Sequence, residues 1–456
     1  MTLFDDAREI WLAGVAAVRA DNLIAQTVSI EGRLLLIADN AFNLDDFDSV
    51  LIVGAGKAAA AMTMALERVF IGHLPVRGWV NVPEGTFDDE KASQSNVRIF
   101  PARPIGLNEP TEAAIAGTKQ ILKLVRTATD RDLCIVVLTG GGSALLTAPI
   151  DGVSLEEKVA VIRHLSGAGA DIRELNTVRK QLSQVKGGGL KNACTAKCLI
   201  TLVLSDVLGD PLDVIASGPT VEDRSTANDA LSVLQCFDKH RELPASIYRS
   251  LQSNHTEASS GTSPHSHVVV LGNNATAVDA AGVAAESRGY SHAMTVATQH
   301  EGFASNVGAH LADMALSMLH DRDAGMKTPD CLISGGEPTV ELAPIAIRGR
   351  GGRNTHLVLA AMLRLIELKV KCSIRDRIVI LSGGTDGEDG PTDAAGAILS
   401  SDVWFATERL KLNPSDYFNR SDSYNFFKQT EGLLITGPTH TNVCDVRVVV
   451  VKQISL

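Results

Sequence analysis

The stretch Ile378 to Gly396, IVILSGGTDGEDGPTDAAG, decides how the rest of the chain is read. Ile378-Val379-Ile380-Leu381 is a short apolar run, the pattern of a buried strand in a parallel sheet. Ser382-Gly383-Gly384 ends it as a tight strand-to-helix loop, and Pro391-Thr392 is expected to open an Ala-rich helix. Between them stand Asp386, Glu388, Asp389 and Asp393. So many carboxylates beside the carboxyl end of a strand repel one another unless they share a cation. Open α/β sheets also bind ligands at that end of their strands. The stretch is therefore expected to be a divalent-metal and phosphate site, with a solvated acidic loop as the plainer alternative.

Outward from it the same unit recurs: an apolar run, a Gly-rich loop, a helix. Asp48 to Val53 runs into Gly54-Ala55-Gly56-Lys57 and an Ala/Met helix. Leu133 to Leu138 ends in Thr139-Gly140-Gly141-Gly142-Ser143, and Leu199 to Leu204 in Ser205-Asp206-Val207-Leu208-Gly209-Asp210. Val268 to Leu271 precedes Gly272-Asn273-Asn274. Cys331-Leu332-Ile333 precedes Ser334-Gly335-Gly336-Glu337. Gly78 to Val82, Leu433 to Ile435 and Val446 to Val450 are further strands, and residues 3–38 read as helices. This alternation is the mark of largely parallel sheets with crossover helices, whose loops converge at one edge. The chain is expected to form two α/β domains, a Rossmann-like one over 1–265 and a second over 266–456. The polar stretch 252–267, QSNHTEASSGTSPHSH, is the expected linker or surface loop. His265-x-His267 within it is a weak metal motif.

Composition narrows the function. The chain has 456 residues, net charge -11, 4% aromatic residues and 39 glycines. A strongly acidic, aromatic-poor protein argues against nucleic-acid and anionic-membrane partners. No apolar run approaches a membrane span, and the N-terminus lacks the marks of a secretory signal. The seven cysteines are scattered and without metal-ligand spacing, as in a reduced, cytoplasmic protein.

Four loops carry the chemistry. Gly54-x-Gly56-x-x-Ala59 fits a permissive dinucleotide fingerprint, which keeps a nicotinamide-dependent hydroxy-acid dehydrogenase as a rival reading. Lys57, at the start of a helix, would add its ammonium to the helix-end N–H groups in holding an anion. Gly140-Gly141-Gly142-Ser143 offers a nest of backbone donors. Asp206 and Asp210 flank a turn after a strand, where either could bind metal or accept a hydroxyl proton. Arg348, Arg350 and Arg353, spaced by glycines, suit an anionic ligand. Lysine, arginines, Gly nests and aspartates together are the set that phosphoryl transfer requires.

These motifs, with Ile215-Ala216-Ser217-Gly218-Pro219-Thr220 and Gly349-Arg350-Gly351-Gly352-Arg353-Asn354, occur in an order that resembles the type II glycerate kinases, glycerate 2-kinases with a C-terminal MOFRL domain. The resemblance covers nearly the whole chain. It implies transfer of the ATP γ-phosphoryl group to the 2-hydroxyl of D-glycerate with Mg²⁺, in the cleft between two domains of a monomer or homodimer. It places Lys57 on the phosphates and Arg353, with Arg350, on the substrate carboxylate or phosphate. Asp206 and Asp386 become candidates for the acceptor hydroxyl and, with Asp393, for the metal. Gly54, Gly56, Gly141, Gly142, Ser143, Asp210, Asn273, Asn274, Glu337 and Asn354 complete the expected binding set. One departure stands out: the family continues Gly-Arg-Asn with Gln-Glu, where this chain has Thr355-His356. The remaining rival is a non-catalytic sugar-acid-binding protein on the same scaffold.

Overall fold

The structure, a computed structural model, describes residues 2–104, 107, 109–253 and 264–452. The chain divides into two compact units, Leu23–Leu271 and Met1–Asn22 with Gly272–Leu456. Most of the polar stretch, residues 254–263, lies outside the described residues.

The helix Ala20–Thr27, whose last five residues open the Leu23–Leu271 unit, runs into a small antiparallel sheet: β1 (Val28–Glu31), β2 (Leu34–Ile37) and β3 (Asn40–Asn43). The helical reading of 3–38 therefore fails after Thr27. Gly32, at φ 62°, turns the chain between β1 and β2. The main sheet follows: β4 (Ser49–Ala55), β5 (Val76–Pro83), β6 (Val97–Arg103), β7 (Asp132–Leu138), β8 (Cys198–Leu204) and β9 (His265–Gly272), in the spatial order β6-β5-β4-β7-β8-β9. The pairs from β6 through to β8 are parallel. β4 and β7 are buried along nearly their whole length, as strands covered on both faces must be. Chain order reverses between β4 and β7, and that reversal opens a crevice at the strands' carboxyl ends. A second apolar cluster, including Val161, Leu165, Val178, Leu182, Leu234 and Ile247, holds a helical layer together in the same unit.

The other unit carries β10 (His292–Val296), β11 (Cys331–Gly336), β12 (Ile378–Gly384), β13 (Gly396–Leu399), β14 (Leu433–Leu434) and β15 (Asp445–Val451), ordered β10-β11-β15-β12-β13-β14. β10 and β11 pair parallel, and β15 is inserted antiparallel between β11 and β12. Four strands thus run one way, with β13 and β15 opposed to them. The direct partners of β12 are both antiparallel, so its apolar run reflects burial on two faces rather than parallel neighbours. The Ala-rich run after Pro391 is not a helix: it turns back as β13 against β12, burying Ala394, Ala395 and Ala397.

Two features move the boundary expected at 265/266. β9 completes the first unit's sheet, which carries that unit to Leu271. The helix Leu3–Ala17, started by a Thr2–Asp5 capping box, packs on the helix Asn274–Ser287 of the second unit. Its fully buried Trp11 donates from Nε1 to the carbonyls of Gly383 (3.3 Å) and Val446 (3.1 Å). No helix among the described residues is long and apolar enough to cross a membrane.

Candidate active site

In the first unit the site grows from the β4–β7 crevice. Lys57 N–H donates to Gly140 O (2.9 Å), and Ala58 N–H to Thr139 Oγ1 (3.0 Å), so the two Gly-rich loops are clamped together. That closeness dictates glycine. Gly54 and Gly56 have φ of 150° and 141°, and a Cβ on either would sit 2.0 Å from Val137 O or 2.1 Å from Thr139 Oγ1. Gly141, at φ 77°, starts a short helical turn through Gly142 and Ser143. The expected set Gly54, Gly56, Lys57, Gly141, Gly142 and Ser143 is therefore assembled at one place. Asp206 and Asp210 follow β8 at the same sheet end, with Asp210 in the left-handed region at φ 52°.

The sequence does not single out Lys186. Its ammonium, fully enclosed, donates to Ser143 Oγ (2.6 Å), Ser143 O (2.8 Å) and Ser217 Oγ (3.2 Å). Burial pulls its pKa well below the lysine range, and the nearby Lys158 and Arg179 charges pull it further. Gly187 and Gly188 donate to the carbonyls of Ser217 and Gly218 (2.9 and 2.7 Å), which locks this segment onto Ile215–Thr220. Lys186-Gly187-Gly188 echoes the lysine-beside-glycine pattern of Gly56-Lys57, and that is the signal that could have found it.

In the second unit Arg353 lies at the carboxyl ends of β11 and β12, opening the helix Arg353–Glu367. The guanidinium is already engaged by two protein carboxylates. Nε and Nη2 grip both oxygens of Asp445 (2.7 and 3.0 Å), and Nη1 reaches Glu337 Oε1 (2.7 Å). Burial alone would lower its pKa, but Asp445 and then Glu337 drive it upward. Asp445, fully buried on β15, also accepts from Asn354 Nδ2 (3.0 Å). It was hidden in the sequence at the head of an apolar strand. Two residues on, Arg447 makes a bidentate pair with Glu301 (2.8 and 2.8 Å).

The acidic loop does not form a protein-only metal site. No group of three or more metal-capable side chains occurs among the described residues. Asp389 is buried and accepts from the N–H groups of Asn354 and Thr355 (both 2.8 Å) and from Thr355 Oγ1 (2.8 Å), capping a helix from a distant loop. Burial raises its pKa to about 6 against those hydrogen bonds. Asp393 is exposed and accepts from Tyr424 Oη (2.6 Å), which lowers its pKa. Arg350 stacks over the Tyr424 ring and donates to Pro391 O (3.1 Å). Asp386 Oδ1 and Asp445 Oδ1 both face Gly384, 3.1 and 3.6 Å from where a Cβ would stand, so Asp386 adjoins the Arg353–Asp445 pair.

Asn273 and Asn274 have structural posts. Asn273 caps the helix Asn274–Ser287 by accepting from Thr276 N–H (3.1 Å). Asn274 donates to the carbonyls of Val443 (2.7 Å) and Asp445 (2.9 Å). At the departure from the family pattern, Thr355 ties Asp389 to Ser423, and His356 stacks on Phe418 with centroids 4.2 Å apart.

An α/β protein whose Gly-rich loops and a lysine meet at a sheet's switch point, with a second unit rich in ordered charge, belongs to the class that handles small phosphorylated anions. Family models match at residues 6–252, a domain of unknown function (DUF4147), and at 330–445, the MOFRL family. A glycerate kinase of Mus musculus is 36% identical over 99% of this chain and 93% of its own length. A D-glycerate 2-kinase of Thermotoga maritima is 36% identical over 88% of this chain and 90% of its own. The crystal structure of a glycerate kinase from Thermotoga maritima superposes with a TM-score of 0.77 at 33% identity, covering 98% of this chain and 99% of that one. The chain belongs to the glycerate kinase family.

Proposed function

We propose that this protein is a glycerate 2-kinase: an ATP-dependent phosphotransferase that moves the γ-phosphoryl group to the 2-hydroxyl of D-glycerate and releases ADP and 2-phosphoglycerate. The observation that carries the reading is the clamp of Lys57 onto Gly140-Gly141-Gly142-Ser143 at the β4–β7 switch point. Lys57 and the backbone N–H groups of Gly141 and Ser143 are assigned to the nucleotide phosphates, while the Gly142 N–H is turned inward to Thr139 O (3.0 Å). As the glycerate oxygen bonds to phosphorus and the bond to ADP breaks, the hydroxyl proton passes to a carboxylate, for which Asp206 is the candidate.

Arg353 is held by Asp445 and Glu337 in one orientation, and the N–H groups left on Nη1 and Nη2 are assigned as hydrogen-bond donors to the substrate carboxylate or phosphate. Mg²⁺ characteristically takes one or two carboxylates and completes its shell with phosphate oxygens and water. Asp386, beside the Arg353–Asp445 pair, is assigned that modest role in preference to Asp389, which is buried as the cap of a helix, and Asp393, which is turned to Tyr424 Oη. When bound, the ion would neutralise phosphate charge. We place the enzyme in the cytoplasm, as a monomer or homodimer.

The test is ATP consumption coupled to D-glycerate, with ³¹P NMR of the product. Phosphate on carbon 2 is expected. D-glycerate-independent ATP hydrolysis, no turnover at all, or a 3-phosphate would each sink the assignment.

A further inference from the structure

Behind Ser143, inside the first unit, lies a cavity of about 310 Å³ lined by Ala144, Thr147, Lys158, Ile162, Arg179 and Lys186, among others. Lys158 is only 4% exposed, and its Nζ has no hydrogen-bond partner. Arg179 Nη1 reaches only the neutral Asn176 Oδ1 (3.1 Å), and Lys186 reaches only hydroxyls and a carbonyl. The acidic group on the lining, Glu109, is half exposed and gives both oxygens to Arg163 at 2.7 and 2.8 Å. Two buried lysines and the half-buried Arg179 thus face one small space, and among the described residues no carboxylate pairs with them. Burial and the Arg179 charge lower the Lys158 pKa to about 7, the response of an ammonium denied a counter-ion. Such an arrangement costs stability in the empty protein and is sustained where an anion repays it.

We infer that this cavity is an oxyanion subsite that takes the carboxylate of a small organic acid or the phosphate of its phosphorylated form, with Lys158, Arg179 and Lys186 as its cationic walls. The volume admits a three-carbon acid, and Ile162 and Ala144 supply an apolar side for its carbon chain. The existence of the subsite follows from the cavity itself; naming glycerate and 2-phosphoglycerate as its ligands rests on the kinase reading.

The test is thermal unfolding of the full-length protein with inorganic phosphate, D-glycerate or 2-phosphoglycerate at constant ionic strength, in the parent and in Lys158→Met. A saturable rise in Tm with at least one anion is expected in the parent. Lys158→Met should weaken that binding at least tenfold while raising the Tm of the ligand-free protein, because an uncompensated charge has gone. A lysine of purely structural use would show the reverse: a lower Tm and unchanged anion affinity. If Lys158→Met does not fold, Arg179→Gln should show the same tenfold loss. No saturable response to any of the three anions, or a response indifferent to these substitutions, overturns the inference. Equal affinity for glycerate and 2-phosphoglycerate identifies the carboxylate as the group held; a preference for phosphate and 2-phosphoglycerate identifies the phosphate. Turnover of D-glycerate without anion binding here would leave the kinase reading standing and remove the subsite. Binding without turnover would do the opposite.

Discussion

Arg353 was legible as an arginine beside glycines, and its partners were not. Asp445 is about 90 residues further along and sits among valines, so no local pattern joins the two. The pairing changes what a substitution tests. Arg353→Lys keeps the charge but loses the fork that grips both Asp445 oxygens, so a stability loss of about 1.5–3 kcal/mol is expected beside any loss of glycerate affinity. Urea denaturation measures the first and the dependence of rate on glycerate the second; unchanged stability would contradict the geometry. Lys57→Ala should act differently. It is expected to lower turnover by a hundredfold or more, about 2.7 kcal/mol in the barrier, with a denaturation midpoint close to the parent's. Kinetics matching the parent would remove Lys57 from the phosphates.

At the scale of elements, the loop Asp386–Asp393 shows why charge counting misleads. Four acidic residues in one short loop suggested a shared cation, but a helix N-terminus takes Asp389 and a tyrosine hydroxyl takes Asp393. A carboxyl whose pKa is about 6 in the folded chain and 3.8 unfolded holds its proton more tightly when folded. Its contribution to stability is complete below pH 3.8 and is lost as pH rises through 6. Asp389→Asn removes that titration. The stability of this variant relative to the parent should therefore climb between pH 4 and pH 6, by up to about 3 kcal/mol. A difference that stays flat with pH would show that Asp389 is not the titrating group. The clamp between the β4 and β7 loops makes a second demand. Gly54→Ala places a Cβ against the Val137 carbonyl in a backbone region that side chains avoid, and should destabilise by roughly 2 kcal/mol or more in equilibrium unfolding. The Gly-rich loops themselves were visible in the sequence because glycine is the residue that tolerates such closeness.

At the scale of the molecule, the chain's first helix belongs with its last strands. Trp11 bonds to backbone at Gly383 and Val446, more than 370 residues away in sequence. A fragment 272–456 should consequently lack cooperative unfolding, and a peptide covering residues 1–22 should restore it, whereas 23–271 should fold alone. Calorimetry of the fragments checks this; cooperative melting of 272–456 by itself would overturn it. Amphipathic spacing made Leu3–Ala17 recognisable as a helix, but spacing reports only that an apolar face exists. It does not report which apolar surface covers that face.

The sequence by itself determined the repeated strand, loop and helix units, the glycines at the switch point and the family to which they point. Those features are local: each is set by side-chain period, backbone freedom or a motif of a few residues. Tertiary structure alone decided the course of β15 between β11 and β12, the grip of Asp445 on Arg353, the capping duty of Asp389 and the cationic cavity around Lys158 and Lys186. Each of these depends on groups brought together across long separations, where desolvation and charge pairing, rather than residue type, fix what a side chain does.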